Sequence, residues 1–415
     1  MRGSDRRKFL KATGAAITTV SLAGCGGDGG GGGDGGDSGG GDGGSGDGET
    51  AGDGSGGDGG STGDGSGDGG GNSLDKIGMT AYVRGGSWIT AYIEAARFYA
   101  EDQGIELDVR PNQQSAQKQV SDIREFANSD HDAILVGVWQ TGAAEGAINQ
   151  AIQGGTPVFA TNADTSSSEI PLYVGFSNYD GGASSAEQML NALEQQYPDK
   201  DTWRVLNVRG VQGNQSANQR SQGFLDVMAE QDRVEVVQTL NGEYARDVAQ
   251  STTQEWIQAN GRVDGIYSGN LSMGLGVVGA LRNLDMLASR GEEGHICLTQ
   301  MDGSPEVNPL VGDGTIDAAV DQPNYFYNPI AMYYMREYVE SGMDDSVIPE
   351  VGSEVTSDQL SIEPGQHKGV ELWTEPIWEP GIMREQNGHP WFRTNSVVIT
   401  QENYDQPFLW GNVWG

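Results

Sequence analysis

Side chains that commonly carry chemistry are scarce in this chain, which has four histidines and two cysteines in 415 residues. His131, His295, His367 and His389 stand far apart, without the short separations that present two ligands to one metal ion. No strand–turn–helix elbow of the Gly-x-Ser-x-Gly kind and no Walker loop is found. Gly274-Leu275-Gly276-Val277-Val278-Gly279 spells a dinucleotide fingerprint, with the acidic Asp302 following at roughly the usual twenty residues. That fingerprint needs its first glycine in the turn directly after a strand. Here the strand ends near Ser268 and the glycines fall inside the next helix, where small residues let it pack closely on the sheet. No catalytic residue, cofactor or metal is implied by these patterns, and an enzyme is the least expected class. Asn214-Gln215-Ser216 and Asn270-Leu271-Ser272 fit the N-glycosylation acceptor pattern.

The cysteines read differently from each other. Cys297 lies in the apolar run Ile296-Cys297-Leu298 and is expected to be a small buried hydrophobe. Cys25 ends Leu22-Ala23-Gly24-Cys25, which resembles a lipobox: the small residue before the thiol permits lipidation and cleavage ahead of it. The preceding Asp5-Arg6-Arg7-Lys8-Phe9-Leu10-Lys11 resembles the start of a twin-arginine export signal. The apolar stretch Ala12 to Ala23 is short of the roughly 20 residues a spanning helix needs. Residues 1–25 are therefore expected to be an export signal, with Cys25 as the lipid attachment.

Residues 26–73 hold nine Asp, one Glu, no basic residue and mostly glycine. Glycine carries the largest ordering cost and nothing here could form a core, so the segment is expected to be a disordered tether. As a flexible coil it would span about 35–40 Å. Residues 74–415 carry 48 acidic and 19 basic residues. This excess argues against nucleic acid and anionic lipid as partners. Spread along the chain as it is, it fits a protein of a salt-rich setting, where surface charge is screened.

From Lys76 onward short apolar runs alternate with amphipathic stretches. Strands are expected at 76–83, 105–109, 133–138 and 157–160, with helices at 88–103, 115–128 and 142–153 between them. The pattern restarts with strands at 204–208, 234–238, 265–268 and 295–299, and helices at 218–229, 245–260 and 273–287. Two sets of βα units predict an α/β protein with two Rossmann-like lobes and parallel sheets, and a ligand cleft beyond the carboxyl ends of the strands. Residues 341–415 are least readable; a closing strand is expected at 396–400, and an aromatic-rich tail wrapped on the second lobe.

An ordered series of short matches carries a resemblance. Lys76-Ile77-Gly78, Asp132-Ala133-Ile134, Gly155-Thr156-Pro157-Val158, Gly175-Phe176-Ser177-Asn178, Arg220-Ser221-Gln222-Gly223-Phe224, Val263-Asp264-Gly265-Ile266, Met301-Asp302-Gly303 and Asp321-Gln322-Pro323 succeed one another at matching intervals. Together they resemble the ribose-type, type I periplasmic sugar-binding proteins of ABC importers over about Lys76 to Tyr338. That resemblance implies lobes joined by a three-strand hinge, with crossings near Ser177-Asn178, Gln300-Asp302 and Gln322-Asn324. It assigns 74–177 plus 302–322 to the N-terminal lobe and 178–301 plus 323–415 to the C-terminal one.

The same resemblance implies a site. Trp88 and Tyr244 take the places of aromatics that stack on a sugar. Asn270, Asp302 and Gln322 take those of amides and a carboxylate that bond hydroxyls. Asn162-Ala163 stands in place of Asp-Arg, Asn218 in place of a second arginine, and Gly86 in place of an asparagine. The expected ligand residues are thus Trp88, Asn162, Asn218, Tyr244, Asn270, Asp302 and Gln322, with Arg220 supporting structure near the cleft. The pocket is less charged than the ribose pattern, which leaves the sugar open. The resemblance implies a monomeric receptor without turnover or cofactor; the export signal and Cys25 place it at the outer face of the cytoplasmic membrane, and the acidic excess suggests a halophilic archaeon. It would pass a monosaccharide or similar polyol-like ligand to permease subunits. Ligand sensing for chemotaxis or quorum signalling is the alternative; a transcription regulator of the same fold is weakened by the tether standing in place of a DNA-binding segment.

Overall fold

The computed structural model describes residues 72–81, 86–363, 365–367 and 369–414. The export signal, Cys25 and residues 26–71 of the tether lie outside the described residues, as does the end of the first expected strand. In chain order, β1 (Lys76–Ala81), α1 (Ser87–Asp102), β2 (Glu106–Pro111), α2 (Ala116–Ala127), β3 (Ala133–Val136), α3 (Glu145–Gln153), β4 (Val158–Thr161) and β5 (Tyr173–Phe176) build the first lobe. The second continues with α4 (Asn178–Gln196), β6 (Trp203–Arg209), α5 (Gln215–Ala229), β7 (Val234–Asn241), α6 (Arg246–Asn260), β8 (Gly265–Ser268), α7 (Leu271–Asn283), β9 (Cys297–Met301), α8 (Asn308–Gly312) and β10 (Ala318–Asp321). Then come α9 (Asn324–Glu340), β11 (Glu354–Val355), β12 (Gly365–His367), β13 (Val370–Leu372), β14 (Gly381–Gln386), β15 (His389–Thr394), β16 (Val397–Ile399) and α10 (Trp410–Val413).

The first sheet runs β11-β14-β15-β5-β4-β3-β1-β2 and the second β16-β10-β9-β8-β6-β7. In each, β1 to β5 and β6 to β10 pair in parallel, so their central strands are buried on both faces and read as unbroken apolar runs. Ile77, Leu135, Phe159 and Val174 are buried at this level in the first lobe. Each contributes about 1.5–3 kcal/mol by leaving water. Among the described residues no helix is long and apolar enough to cross a membrane.

Two expected crossings are found: the chain leaves the first sheet after β5 at Ser177-Asn178 and returns after β10 at Gln322–Asn324. The third differs. Nothing crosses at Gln300-Asp302, because β10 pairs with β9 in parallel, Ala318 opposite Thr299, and residues 302–321 stay in the second lobe. The last crossing lies between β15 and β16, at residues 395–396. Residues 323–394 belong to the first lobe, not the second: α9 packs on α1, β4 and β5, and β15 extends the first sheet beside β5. Only β16 rejoins the second sheet, antiparallel to β10. The tail therefore wraps mainly the first lobe. Its aromatics are largely core, with Trp373, Trp378, Trp410 and Trp414 buried.

Between the expected strands near 160 and 204 the chain also forms β5 and α4, which the apolar periodicity did not announce. Helix α4 contains Gly181-Gly182 and crosses α5 at close range. A Cβ at Gly182 would sit 2.0 Å from the Arg220 carbonyl oxygen, and one at Gly223 would sit 2.0 Å from that of Tyr179. The glycines weaken the helix signal and make the crossing possible.

Candidate ligand-binding cleft

The carboxyl ends of both sets of strands open onto one cleft of about 840 Å³, within the roughly 300–1,000 Å³ usual for small-molecule sites. Side chains capping the second-lobe helices sit around it. Ser177, Asn214 and Asn270 each accept a backbone N–H at the start of α4, α5 and α7, and each lines the cleft. At its lip Thr141 of the first lobe donates to Gln215 of the second, Oγ1 to Oε1, at 3.1 Å.

Trp88, Asn162, Tyr244, Asn270, Asp302 and Gln322 all line this cleft. Asn218 does not: it is exposed on α5. The face of α5 turned to the cleft carries Gln215, Ser216, Gln219 and Arg220. Helical rotation of about 100° per residue sends Asn218 elsewhere. Arg220 takes the inner position, buried and lining the cleft.

Asp302 is the centre of a buried polar set. Gln322 donates from Nε2 to its Oδ1 at 2.6 Å, and Arg220 Nη1 lies 3.3 Å from its Oδ2. Arg220 also donates from Nη1 to the Gly269 carbonyl at 2.9 Å and from Nε to Asn178 Oδ1 at 2.7 Å. Gln322 Oε1 accepts from the Tyr327 hydroxyl at 3.0 Å, and burial holds that phenol far above its ordinary titration range, so it remains a donor. The guanidinium balances the carboxylate, and the fixed amide and carboxylate planes can exchange hydrogen bonds with hydroxyls. Asp302, Asn162 and Tyr244 all hold left-handed backbone, at φ 68°, 65° and 58°. For a bulky residue such as Tyr244 this is costly, and such strain concentrates at ligand sites.

Trp88, half-buried at the start of α1, stacks on Tyr92 with ring centroids 5.5 Å apart. Its indole N–H is buried without a hydrogen-bond partner among the described residues. Asn324, just past the second crossing, donates to the Trp88 carbonyl at 3.0 Å and ties this ring's backbone to the hinge. Sequence reasoning missed Trp139, Asp164, Tyr173, Gln386 and Trp391, which also line the cleft. Trp391 stood out only as one of several tail tryptophans; its place depends on β15 pairing with a strand more than two hundred residues earlier.

His295, Cys297 and Asp317 offer ligand atoms within 4.8 Å of one another, a grouping invisible in sequence spacing. These donors are already used. Asp317 accepts from Leu298 N at 2.7 Å and Arg290 Nε at 3.1 Å, and lies 3.0 Å from His295 Nε2. Burial pushes the Cys297 thiol up, away from the thiolate a metal would need. The grouping is a structural ion-pair network, and Cys297 is the buried hydrophobe expected.

Comparison with known proteins agrees with the geometry. The D-apiose import binding protein of Actinobacillus succinogenes is 24% identical over 254 residues, 61% of this chain and 78% of that protein. The galactofuranose-binding protein of Escherichia coli is 21% identical over 269 residues, 64% of this chain and 82% of that one. Among solved structures, an ABC transporter periplasmic solute-binding protein from Actinobacillus succinogenes with bound D-allose superposes with a TM-score of 0.63 at 18% identity, covering 80% of this chain and 99% of that one. A carbohydrate transporter solute-binding protein from Agrobacterium radiobacter with D-arabinose gives a TM-score of 0.62 at 15% identity, over 82% and 98%. At these identities the superpositions speak for the two-lobed fold. Residues 77–343 match the periplasmic binding protein domain, well over half of the chain, and the protein belongs to that family.

Proposed function

We propose that the protein is the solute-binding receptor of an ABC importer and takes a monosaccharide or similar polyol-like ligand between its lobes. The observation that carries this is the pairing of Asp302, Gln322 and Arg220 at the strand ends with Trp88, an aromatic whose buried N–H lacks a partner among the described residues, in one cleft. Relatives named for D-apiose and galactofuranose, and neighbours solved with D-allose and D-arabinose, support a carbohydrate ligand. Trp88 and Tyr244 are the stacking surfaces in this reading. Asn162, Asn270, Asp302 and Gln322 are the hydroxyl partners, and Arg220 holds Asp302 in place. Asn218 is left outside. Ligand closes the lobes about the crossings, and the closed form is what a permease recognises. The receptor acts as a monomer and turns nothing over. Cys25 carries the lipid that keeps it at the outer membrane face, residues 26–73 give it reach, and its acidity suits a salt-rich medium.

A thermal-shift screen of sugars, polyols, nucleosides and amino acids in concentrated salt tests the assignment. A ligand at a hundred times its Kd raises stability by about 2.7 kcal/mol, a clear rise in Tm. Hits confined to amino acids would overturn the carbohydrate reading. For the anchor, Cys25→Ser should release the protein or leave its precursor uncut; full membrane retention at unchanged mass would refute it.

A further inference from the structure

We propose that the cleft holds a second sugar subsite, floored by Trp391, so that the ligand is a glycoside with two rings, in the simplest case a disaccharide. The proposal rests on the carbohydrate reading above and extends it.

The floor is supplied by residues beyond the stretch matched to the family, which ends at residue 343. Strands β14 and β15 form a hairpin whose two-residue turn is Asn387-Gly388, at φ 52° and 86°. This is the Asn-Gly turn whose twist suits a tight hairpin. A buried carboxylate clasps it: Asp164 Oδ2 accepts from Gln386 Nε2 at 2.5 Å and Asn387 Nδ2 at 2.7 Å, and its Oδ1 lies 2.9 Å from His389 Nε2. Strand β15 then lies parallel to β5 with Trp391 opposite Tyr173. The two rings stack at 5.9 Å and 23°. Trp391 Nε1 donates to the Gly175 carbonyl at 3.0 Å. Gly175 is required here, because a Cβ on it would lie 2.3 Å from the Tyr173 hydroxyl. Trp391 is thus locked in rotation and backed by a second ring, with its remaining side on the cleft. Gln386, at the end of β14, lines the cleft beside it and keeps Oε1 as an acceptor.

The two aromatic stations belong to different parts of the cleft. Trp88 comes after β1, whereas Trp391 is on β15, four steps away across β3, β4 and β5. At about 4.8 Å per step β1 and β15 are roughly 19 Å apart. The Trp88 ring, however, stacks on Tyr92, whose hydroxyl reaches Thr161 at the end of β4, and β4 is only two steps, about 10 Å, from β15. In this proposal one ring stacks on Trp88 and bonds Asp302, while Trp391, held on Tyr173, takes a second ring. An apolar, rigid, flat surface with polar neighbours is what the C–H face and rim hydroxyls of another ring require.

The test is calorimetric titration of the intact protein with D-ribose, D-xylose, D-galactose and D-glucose, and with xylobiose, lactose, cellobiose and maltose. A disaccharide should bind about tenfold or more tighter than its best component monosaccharide. Trp391→Ala should remove that gain while leaving monosaccharide affinity unchanged, and Trp391→Phe should keep most of it. Trp391→Leu, which still fills the space over Tyr173, gives the same reading if the alanine variant fails to fold, with Tm measured on every sample. Monosaccharide binding without gain from a second ring, or a gain that survives loss of the aromatic ring, overturns the subsite and leaves the receptor assignment standing. Failure of every saccharide to bind overturns both.

Discussion

Asp321 ends β10 one residue before the second crossing, and its removal gives a measurable change of stability with pH. Its carboxyl is fully buried: Oδ1 accepts from Trp410 Nε1 at 2.8 Å and Gly303 N at 3.0 Å, while Oδ2 has no partner among the described residues. Burial raises its pKa from 3.8 to about 7; the Trp410 bond opposes the rise and the charge of Asp302 adds to it. A carboxyl whose folded pKa is raised stabilises the fold most below its unfolded pKa, and the benefit is lost as pH climbs to the folded value. A span of about three units corresponds to roughly 4 kcal/mol, as an order of magnitude. Asp321→Asn keeps an acceptor for Trp410 and Gly303 without the charge. Chemical denaturation of both proteins from pH 4 to 9 should show the variant gaining on the parent by up to that amount, with the gain concentrated between pH 4 and 7. Parallel stability curves would refute the reasoning, as would a variant whose disadvantage grows with pH.

Three further outcomes can be checked on the same material. Trp88→Ala should weaken ligand binding with a small loss of Tm, since the ring is half-buried; a loss of about 3–5 kcal/mol of stability with unaltered affinity would make it a core residue. Asp302→Asn should lower affinity by about 1–3 kcal/mol, up to roughly a hundredfold, in calorimetry on protein shown folded by circular dichroism; unaltered affinity would remove Asp302 from the ligand set. Burial disfavours charge on His389, but the bond and charge of Asp164 outweigh it and raise the pKa above 6.5. The clasp is therefore at full strength below that pH and weakens as pH rises through the folded value. Hydrogen exchange of the 386–389 turn, corrected for intrinsic rate, should accelerate with rising pH in the parent and stay flat in His389→Gln.

The parts of this fold legible in sequence are those stated locally. Unbroken apolar strands separated by amphipathic helices announce both parallel sheets; the strand-end rule puts Asp302 at the cleft, and the family resemblance puts Asn270 there. What depended on distant pairing was lost. Residues 302–322 were given to the wrong lobe because nothing in Ala318–Asp321 says which sheet it joins. Trp391 was one apolar residue among several until β15 found β5. Asn218 failed for a subtler reason: positional correspondence gives an address on the chain but not a face of α5, and two residues along, Arg220 occupies the inner face. Helix α4 was obscured by the glycines that its crossing with α5 demands.

The order of crossings also fixes an order of assembly. Apart from β16, the second sheet comes from one uninterrupted stretch, residues 203–321, and its pairings join near neighbours in sequence. The first sheet cannot be finished until β15, made last but one among the strands, comes back to β5 across more than two hundred residues. Such a loop is slow to close, and short-range pairings form ahead of it. In pulse-labelled refolding, amides of β6, β8 and β9 should gain protection before those of β5 and β15, and the reverse order would refute this. During synthesis the later-encoded lobe would then be the first to set, and the earlier one would wait, half-built, for its last strands to leave the ribosome.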